Sequence, residues 1–332
     1  TDSGHVPLLP DRTWFNHCSK TDIMKKIVVV GSSNTDLIIQ VPEIPRPGET
    51  LLGGEFKTFP GGKGANQAVA AARAGGEVVF VAAVGNDAYG IEAIKGYQLD
   101  GINTENIKIC KGVPSGVAMI TIADSGENAI TVAPGANAQL KPEDLEEVEE
   151  PFQEAGFMLI QLETPLETVQ KAVELCSELN TRVILNPAPA AMLSDEILQH
   201  VTIITPNETE AESLTGIVVT DEQSAEEAAV VLHKRGIETV IITLGSRGAF
   251  LSYARGKTRK LIPGFSVHAI DTPAAGYVFN GQLAVSLAEG KELERAVLEA
   301  HGAAAISVQK LGAQSSIPRR EETCYFIEEH TK

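Results

Sequence analysis

Cysteine, basic charge and long apolar runs are all in short supply. The four cysteines, Cys18, Cys110, Cys176 and Cys324, are scattered over 332 residues with no CxxC pair and no histidine at zinc-ligand spacing, so reduced structural thiols are expected. Only 27 lysines and arginines face 44 aspartates and glutamates. The resulting net charge of -17 would repel nucleic acid and an anionic membrane surface, and neither is expected as a partner. No apolar run reaches the ~20 residues of a membrane helix and no signal-like segment opens the chain, which predicts a cytoplasmic protein. Internal repeats and low-complexity linkers are missing too. What remains is 43% hydrophobic content in one long chain, enough for a large α/β core.

Residues 1–23 lack periodicity and carry Pro7, Pro10 and Trp14 before Met24-Lys25-Lys26. They are expected to be a disordered extension or a tag remnant, with one domain over 24–332. Short unbroken apolar runs then follow: Ile27 to Val30, Val78 to Val84, Phe157 to Gln161, Val183 to Asn186, Thr202 to Thr205 and Val240 to Leu244. Runs of this kind suit strands buried on both faces of a mostly parallel sheet. Helical stretches such as Gly64 to Ala74, Leu166 to Leu179, Ala225 to Arg235 and Glu292 to Val308 lie between them as crossovers. The expectation is a three-layer α/β/α fold. Segments of about 36–59 and 116–132 instead alternate like exposed strands, which predicts a small β-sheet lid.

Chemistry gathers at glycines and at strand ends. Pro60-Gly61-Gly62-Lys63-Gly64-Ala65-Asn66 opens a helix with backbone that a ligand can approach closely, although such glycines alone are more often a tight turn. It is not a Walker sequence, because the GK followed by Ser or Thr is absent. Asp271-Thr272-Pro273-Ala274-Ala275-Gly276 opens the helix Tyr277 to Ala288, either as an ordinary turn or as a nest of amides for developing phosphoryl charge. Asn34, Asp36, Glu163 and Asn207-Glu208 follow strands, where ligands of open parallel sheets bind and where amides and carboxylates suit a polyhydroxyl substrate and a nucleotide. Each could also be a cap. Thr243-Leu244-Gly245-Ser246-Arg247-Gly248 supplies a further glycine turn, locally a hairpin or a surface for a base or ribose.

Taken in order, these segments resemble the ribokinase group of sugar kinases from about residue 25 to 327. Gly61 to Ala68 is similar to the group's first signature, and Asp271 to Gly276 with Phe279-Asn280-Gly281 is similar to its second. The matches around Gly61, around Glu163 in Gln161-Leu162-Glu163 and at Gly312-Ala313-Gln314 favour ribokinase over the fructokinase and adenosine kinase branches.

The resemblance implies the ribokinase-like fold, phosphorylation of a ribose 5-hydroxyl by ATP with Mg2+, and a homodimer through the lid. It implies that Asn34, Asp36, Gly62, Lys63, Asn66 and Glu163 hold ribose or a similar sugar. Asn207, Thr243, Leu244, Gly245, Ser246, Arg247, Gly248, Gly276 and His301 would line the ATP site, and Ala274, Ala275 and Gly276 would form the anion hole. Oxygens of Asp271, Pro273, Ser307, Lys310, Gly312 and Ser316 would hold a monovalent cation, K+.

One position departs. Where the group carries its catalytic aspartate, this chain has Tyr277. A phenol with pKa near 10 is a poor general base at neutral pH, and losing a positioned base costs ~10²- to 10⁴-fold in rate. Strongly impaired turnover is expected. A non-catalytic sugar or nucleotide binding protein, or a kinase for another pentose or a nucleoside, are the alternatives.

Overall fold

The computed structural model describes residues 25–331 apart from 53 and 255, so the expected extension over 1–23 lies outside the described residues. In chain order the strands are β1 (Lys26–Val30), β2 (Asn34–Val41), β3 (Phe56–Gly61), β4 (Val78–Gly85), β5 (Ile107–Cys110), β6 (Gly116–Ala123), β7 (Asn128–Ala133), β8 (Ala155–Ile160), β9 (Arg182–Leu185), β10 (Ile203–Ile204), β11 (Thr239–Thr243), β12 (Ala249–Tyr253) and β13 (Thr258–Ile262). The helices are α1 (Lys63–Arg73), α2 (Ala88–Leu99), α3 (Pro142–Glu146), α4 (Glu149–Glu154), α5 (Leu166–Leu179), α6 (Asp195–Leu198), α7 (Glu208–Thr215), α8 (Glu222–Lys234), α9 (Ala275–Ala288), α10 (Leu293–Ser307), α11 (Ala313–Ser316) and α12 (Arg320–His330).

Apolar runs build a nine-stranded sheet in the order β13-β12-β11-β10-β9-β8-β1-β4-β5. Pairing is parallel from β5 to β11, and β12 and β13 add an antiparallel edge. Alternation within each strand splits its side chains between two cores. Val28 and Val30 join Met158, Ile160 and Val183 beneath Val169 and Val173 of α5 and Leu232 of α8. Ile27 and Val29 join Phe157 and Leu159 against Ala68 and Val69 of α1, Leu283 of α9 and Val297 of α10. The expected α/β/α layering is what forms.

Helix α9 is buried on every side from Val278 to Ala288, between α1 and α10. Its fit against α1 depends on Gly281, because a Cβ there would lie 2.5 Å from Ala70 Cβ and 2.7 Å from the Ala71 nitrogen. This packing holds the second glycine segment beside the first.

A second sheet of four strands, ordered β3-β2-β6-β7, comes from the two segments with alternating character. Phe56, Met119, Ile130 and Val132 stand exposed on it. Cys110 and Cys176 are free buried thiols, whereas Cys324 is disulfide-bonded, which corrects the expectation of reduced thiols throughout; nothing in its local sequence signals the bond. Among the described residues no helix is long and apolar enough to cross a membrane.

Candidate functional site

Strand β2 starts with Asn34 and Asp36, and β3 ends at Gly61, paired so that Asn34 faces Gly61 and Asp36 faces Phe59. The Asp36 carboxylate lies over Gly61, since a Cβ there would come within 2.3 Å of Asp36 Oδ1. Gly62 then turns the chain into α1 with φ 93, a left-handed conformation that side chains other than hydrogen strain. The first amide of α1 is thereby free to face an anion: Lys63 N donates to Glu163 Oε2 at 3.0 Å. Ser32 Oγ donates to the same oxygen at 2.5 Å, which fixes Glu163 from two sides.

The Lys63 ammonium lies 3.5 Å from Glu163 Oε1 and donates to the Tyr277 hydroxyl at 2.7 Å. Electrostatics follow from this crowding of charges in a partly dry space. Burial pushes Asp36 up to about 6, with Glu163 adding to the rise and Lys63 opposing it. Burial alone would lower Lys63, but Tyr277 and Glu163 hold its pKa above the ordinary value, so it is a cation at neutral pH. The Tyr277 phenol is raised by burial against the pull of Lys63, so it is neutral. Asn34 Oδ1 accepts from Asn137 Nδ2 at 2.7 Å, whereas Asn66 Oδ1 is buried without a partner and stands ready for a donor.

Beyond Lys63 opens a cavity of about 710 Å³. It is lined by Lys63, Asn207, Thr243, Gly245, Ser246, Gly248, Gly276, Tyr277 and His301 among others, so the starts of α1, α7 and α9, the β11–β12 turn and the middle of α10 converge on it. Three observations fit a nucleotide here. The volume is in the range of small-molecule sites. No atom lies within 4 Å of a Cβ built on Gly245 or Gly276, so both turns open on free space. His301 Nε2 is buried without a partner, and burial depresses this imidazole to about 4, which keeps it neutral.

Two residues of the third glycine segment stand apart from the cavity. Leu244 is buried in the hydrophobic core, and Arg247 turns outward to pair with Glu208 and donate to the Thr220 carbonyl at 2.6 Å. Local sequence cannot tell a loop's lining residues from its anchors. Glu210 also lines the cavity, and the sequence reading passed over it. Its carboxylate accepts from Asn207 N while Asn207 Oδ1 accepts from Glu210 N, a capping box whose three-residue spacing is legible in Asn207-Glu208-Thr209-Glu210. Burial raises the Glu210 pKa.

Of the residues expected to hold a cation, Asp271 and Gly312 are joined directly, Gly312 N donating to Asp271 Oδ2 at 2.9 Å. Ser307 and Ser316 are buried with their hydroxyls donating to the Ala304 and Ala313 carbonyls, leaving oxygen lone pairs to accept a cation. Lys310 sends its ammonium away to Glu322, so a carbonyl is what it can offer. Among the described residues no three His, Cys, Asp or Glu side chains converge on a metal. A set of neutral oxygens with one carboxylate suits a hard monovalent ion.

Buried amides join the two halves of the site. Gln161 Nε2 donates to Gln67 Oε1 at 2.5 Å and Gln67 Nε2 to Asn186 Oδ1 at 3.1 Å. Thr205 Oγ1 donates to Asn280 Oδ1 at 2.7 Å, and Asn280 Nδ2 to the Gly276 carbonyl at 2.8 Å.

Comparison with known proteins bears on the family and the fold. A sequence model of the pfkB family carbohydrate kinases matches residues 24–320. The chain is 49% identical over 304 residues to a ribokinase of Haemophilus influenzae, covering 92% of this chain and 99% of that one. Ribokinase from Thermotoga maritima superposes with a TM-score of 0.83 at 42% identity, over 92% of this chain and 99% of that chain. Ribokinase of Arabidopsis thaliana, solved with ribose and ATP, superposes with a TM-score of 0.87 at 30% identity, again over 92% and 99%.

Proposed function

Because the chain belongs to the pfkB family of carbohydrate kinases, in its ribokinase branch, we propose that it phosphorylates the 5-hydroxyl of ribose from ATP, slowly, because Tyr277 stands where a general base is needed. The observation that carries this reading is the continuity of two unlike sites at Lys63. On one side lie Asp36, Glu163 and the unpartnered Asn66 Oδ1, acceptors for sugar hydroxyls. On the other lies the glycine-lined cavity with its neutral, unpartnered His301 nitrogen.

ATP with its Mg2+ would supply the electrophilic phosphorus and the leaving group. The chain's part is to position and to stabilise charge, which is most of phosphoryl-transfer catalysis. In the first turn of α9, Ala275 N donates to the Thr272 carbonyl and Tyr277 N to the Ala274 carbonyl, so the Gly276 amide is the one that would meet developing charge, while Ala274, buried at the N-cap, shapes the turn. The ammonium of Lys63 adds a cation between the two sites. Asp271, Pro273, Ser307, Lys310, Gly312 and Ser316 would hold K+ beside this turn and stiffen it. The small sheet would act as a lid over the sugar, and its exposed Phe56, Met119 and Ile130 would pair two copies into a homodimer.

A second reading is favoured by the Lys63 to Tyr277 bond, which places a phenol between the sugar acceptors and the cavity: nucleotide binding without sugar turnover. A coupled ADP-release assay with ribose, deoxyribose and adenosine decides between them. Ribose-dependent ADP production supports the kinase. Tight ADP binding with none supports the second reading.

A further inference from the structure

We propose that Tyr277 is itself a phosphoryl acceptor, so that the chain transfers one phosphoryl group from ATP onto its own phenol. The inference rests on reading the cavity as the ATP site. Tyr277 carries an alcohol-like oxygen on the first turn of α9, a helix of 14 residues, and lines the cavity together with Ala275 and Gly276. That oxygen accepts a hydrogen bond from Lys63 Nζ at 2.7 Å, and the ammonium also stands 5.1 Å from the ring centre. A sugar hydroxyl awaiting phosphorylation needs the same company: a cation at its oxygen and open space toward the nucleotide. The open space is present, since Tyr277 lines the cavity of about 710 Å³. An independent pointer to a ligand in this cavity is the buried, unpartnered His301 Nε2 on its wall.

The step balances without any further reactant. Tyr277 Oη forms a bond to the terminal phosphorus as the bridging phosphorus–oxygen bond breaks, and ADP departs with that electron pair. The phenolic proton leaves by way of Lys63, whose ammonium, 2.7 Å from the phenol oxygen and 3.5 Å from Glu163 Oε1, gives a proton to Glu163 and takes the one from the phenol. Loose phosphoryl-transfer transition states ask little nucleophilicity of the acceptor, so a neutral phenol held in place is sufficient for slow transfer. The product is a phosphate ester paired with Lys63 and set among Asp36, Glu163 and Glu210. These carboxylates would repel it, and it would fill the sugar end of the site. With one phenol oxygen in this place, the reaction stops at one phosphate per chain.

The test is to incubate the full chain with ATP and Mg2+ in the absence of sugar, and to follow intact mass and peptide masses alongside calorimetric titration with ADP. A single phosphoryl adduct on the peptide carrying Tyr277, absent from Tyr277→Phe and formed ~10²-fold more slowly by Lys63→Met, is the expected result. If ADP binds both the parent chain and Tyr277→Phe but no adduct forms, or an adduct survives in Tyr277→Phe, self-phosphorylation is wrong while the nucleotide reading stands. If ADP does not bind the parent chain, both fall.

Discussion

The Lys63 ammonium donates to the Tyr277 hydroxyl at 2.7 Å, joining the first turn of α1 to the first turn of α9 across the place where two ligands would meet. Each partner gives something up. Lys63 spends a donor that a sugar oxygen or a phosphate would otherwise receive, and Tyr277 places a ring where a shorter side chain would leave room. A carboxylate at residue 277 would keep the lysine's charge partnered while freeing the volume of the ring.

Tyr277→Asp should therefore raise ribose-dependent ADP release by ~10²- to 10⁴-fold, the range for a positioned general base. Steady-state kinetics should show the gain in kcat, with a fall in KM as the pocket opens. Equal rates for the parent and the variant would mean that residue 277 takes no part in proton transfer.

Two groups in the site should answer pH differently. Asp36 is pushed up to about 6 by burial and by Glu163, so at pH 7.5 it is ionised and able to accept from the proposed sugar's hydroxyls, but it is protonated at pH 5. His301, pushed down to about 4 by burial, stays neutral throughout that window. Ribose affinity should fall as pH drops through 6, while the imidazole's contribution to ADP affinity stays flat from pH 7.5 to 5. Titration of Asp36→Asn with ribose should show the same low affinity at both pH values. The parent's ribose affinity holding steady across the range would remove Asp36 from sugar binding.

Periodicity made the scaffold legible. Leu166 to Leu179 reads as a helix and is one, ending where Asn180 turns left-handed at φ 58. Unbroken apolar runs mark the buried strands because both faces are covered, and the alternation around Asp36 and Val117 marks the small sheet because one face is open. The site was legible where glycines and strand-end carboxylates sit close in sequence. It was not legible where a role depends on distant packing. His301 lies mid-helix in α10 with no local sign that its ring faces the cavity, and only the family resemblance pointed to it. The chain of Gln161, Gln67 and Asn186 spans three elements and obeys no spacing. Leu244 and Arg247 sit beside cavity residues and serve as core and anchor instead.

Gly281→Ala should destabilise the fold without touching any ligand. The added methyl would press on Ala70 Cβ at 2.5 Å and on the Ala71 nitrogen at 2.7 Å, so α1 and α9 would have to move apart. Overpacking of a tight core costs about 1–3 kcal/mol, visible as a lower urea midpoint with an unchanged slope. Because these two helices carry Lys63 and Tyr277 at their first turns, the same variant should also weaken ADP binding. An unchanged urea midpoint would show that the helices separate at no cost.

Gln67→Leu tests whether the buried amides hold the two halves of the site in register. The substitution fills much of the space but removes the acceptor for Gln161 Nε2 and the donor to Asn186 Oδ1. Orphaned buried polar groups cost about 1–3 kcal/mol each, so a large drop in the urea midpoint is expected. Stability alone would not separate support from function, so the second reading is the effect of ribose on ADP affinity. Gln161 adjoins the Leu162-Glu163 turn on the proposed sugar side, and Asn186, beside Thr205, leads toward Asn280 and the Gly276 carbonyl. If the chain transmits register, Gln67→Leu should bind each ligand within a few-fold of the parent yet lose the coupling between them. Gln67→Glu keeps the acceptor for Gln161 and loses only the donor, so it should keep more of the coupling. Coupling that survives Gln67→Leu intact would assign these amides to stability alone.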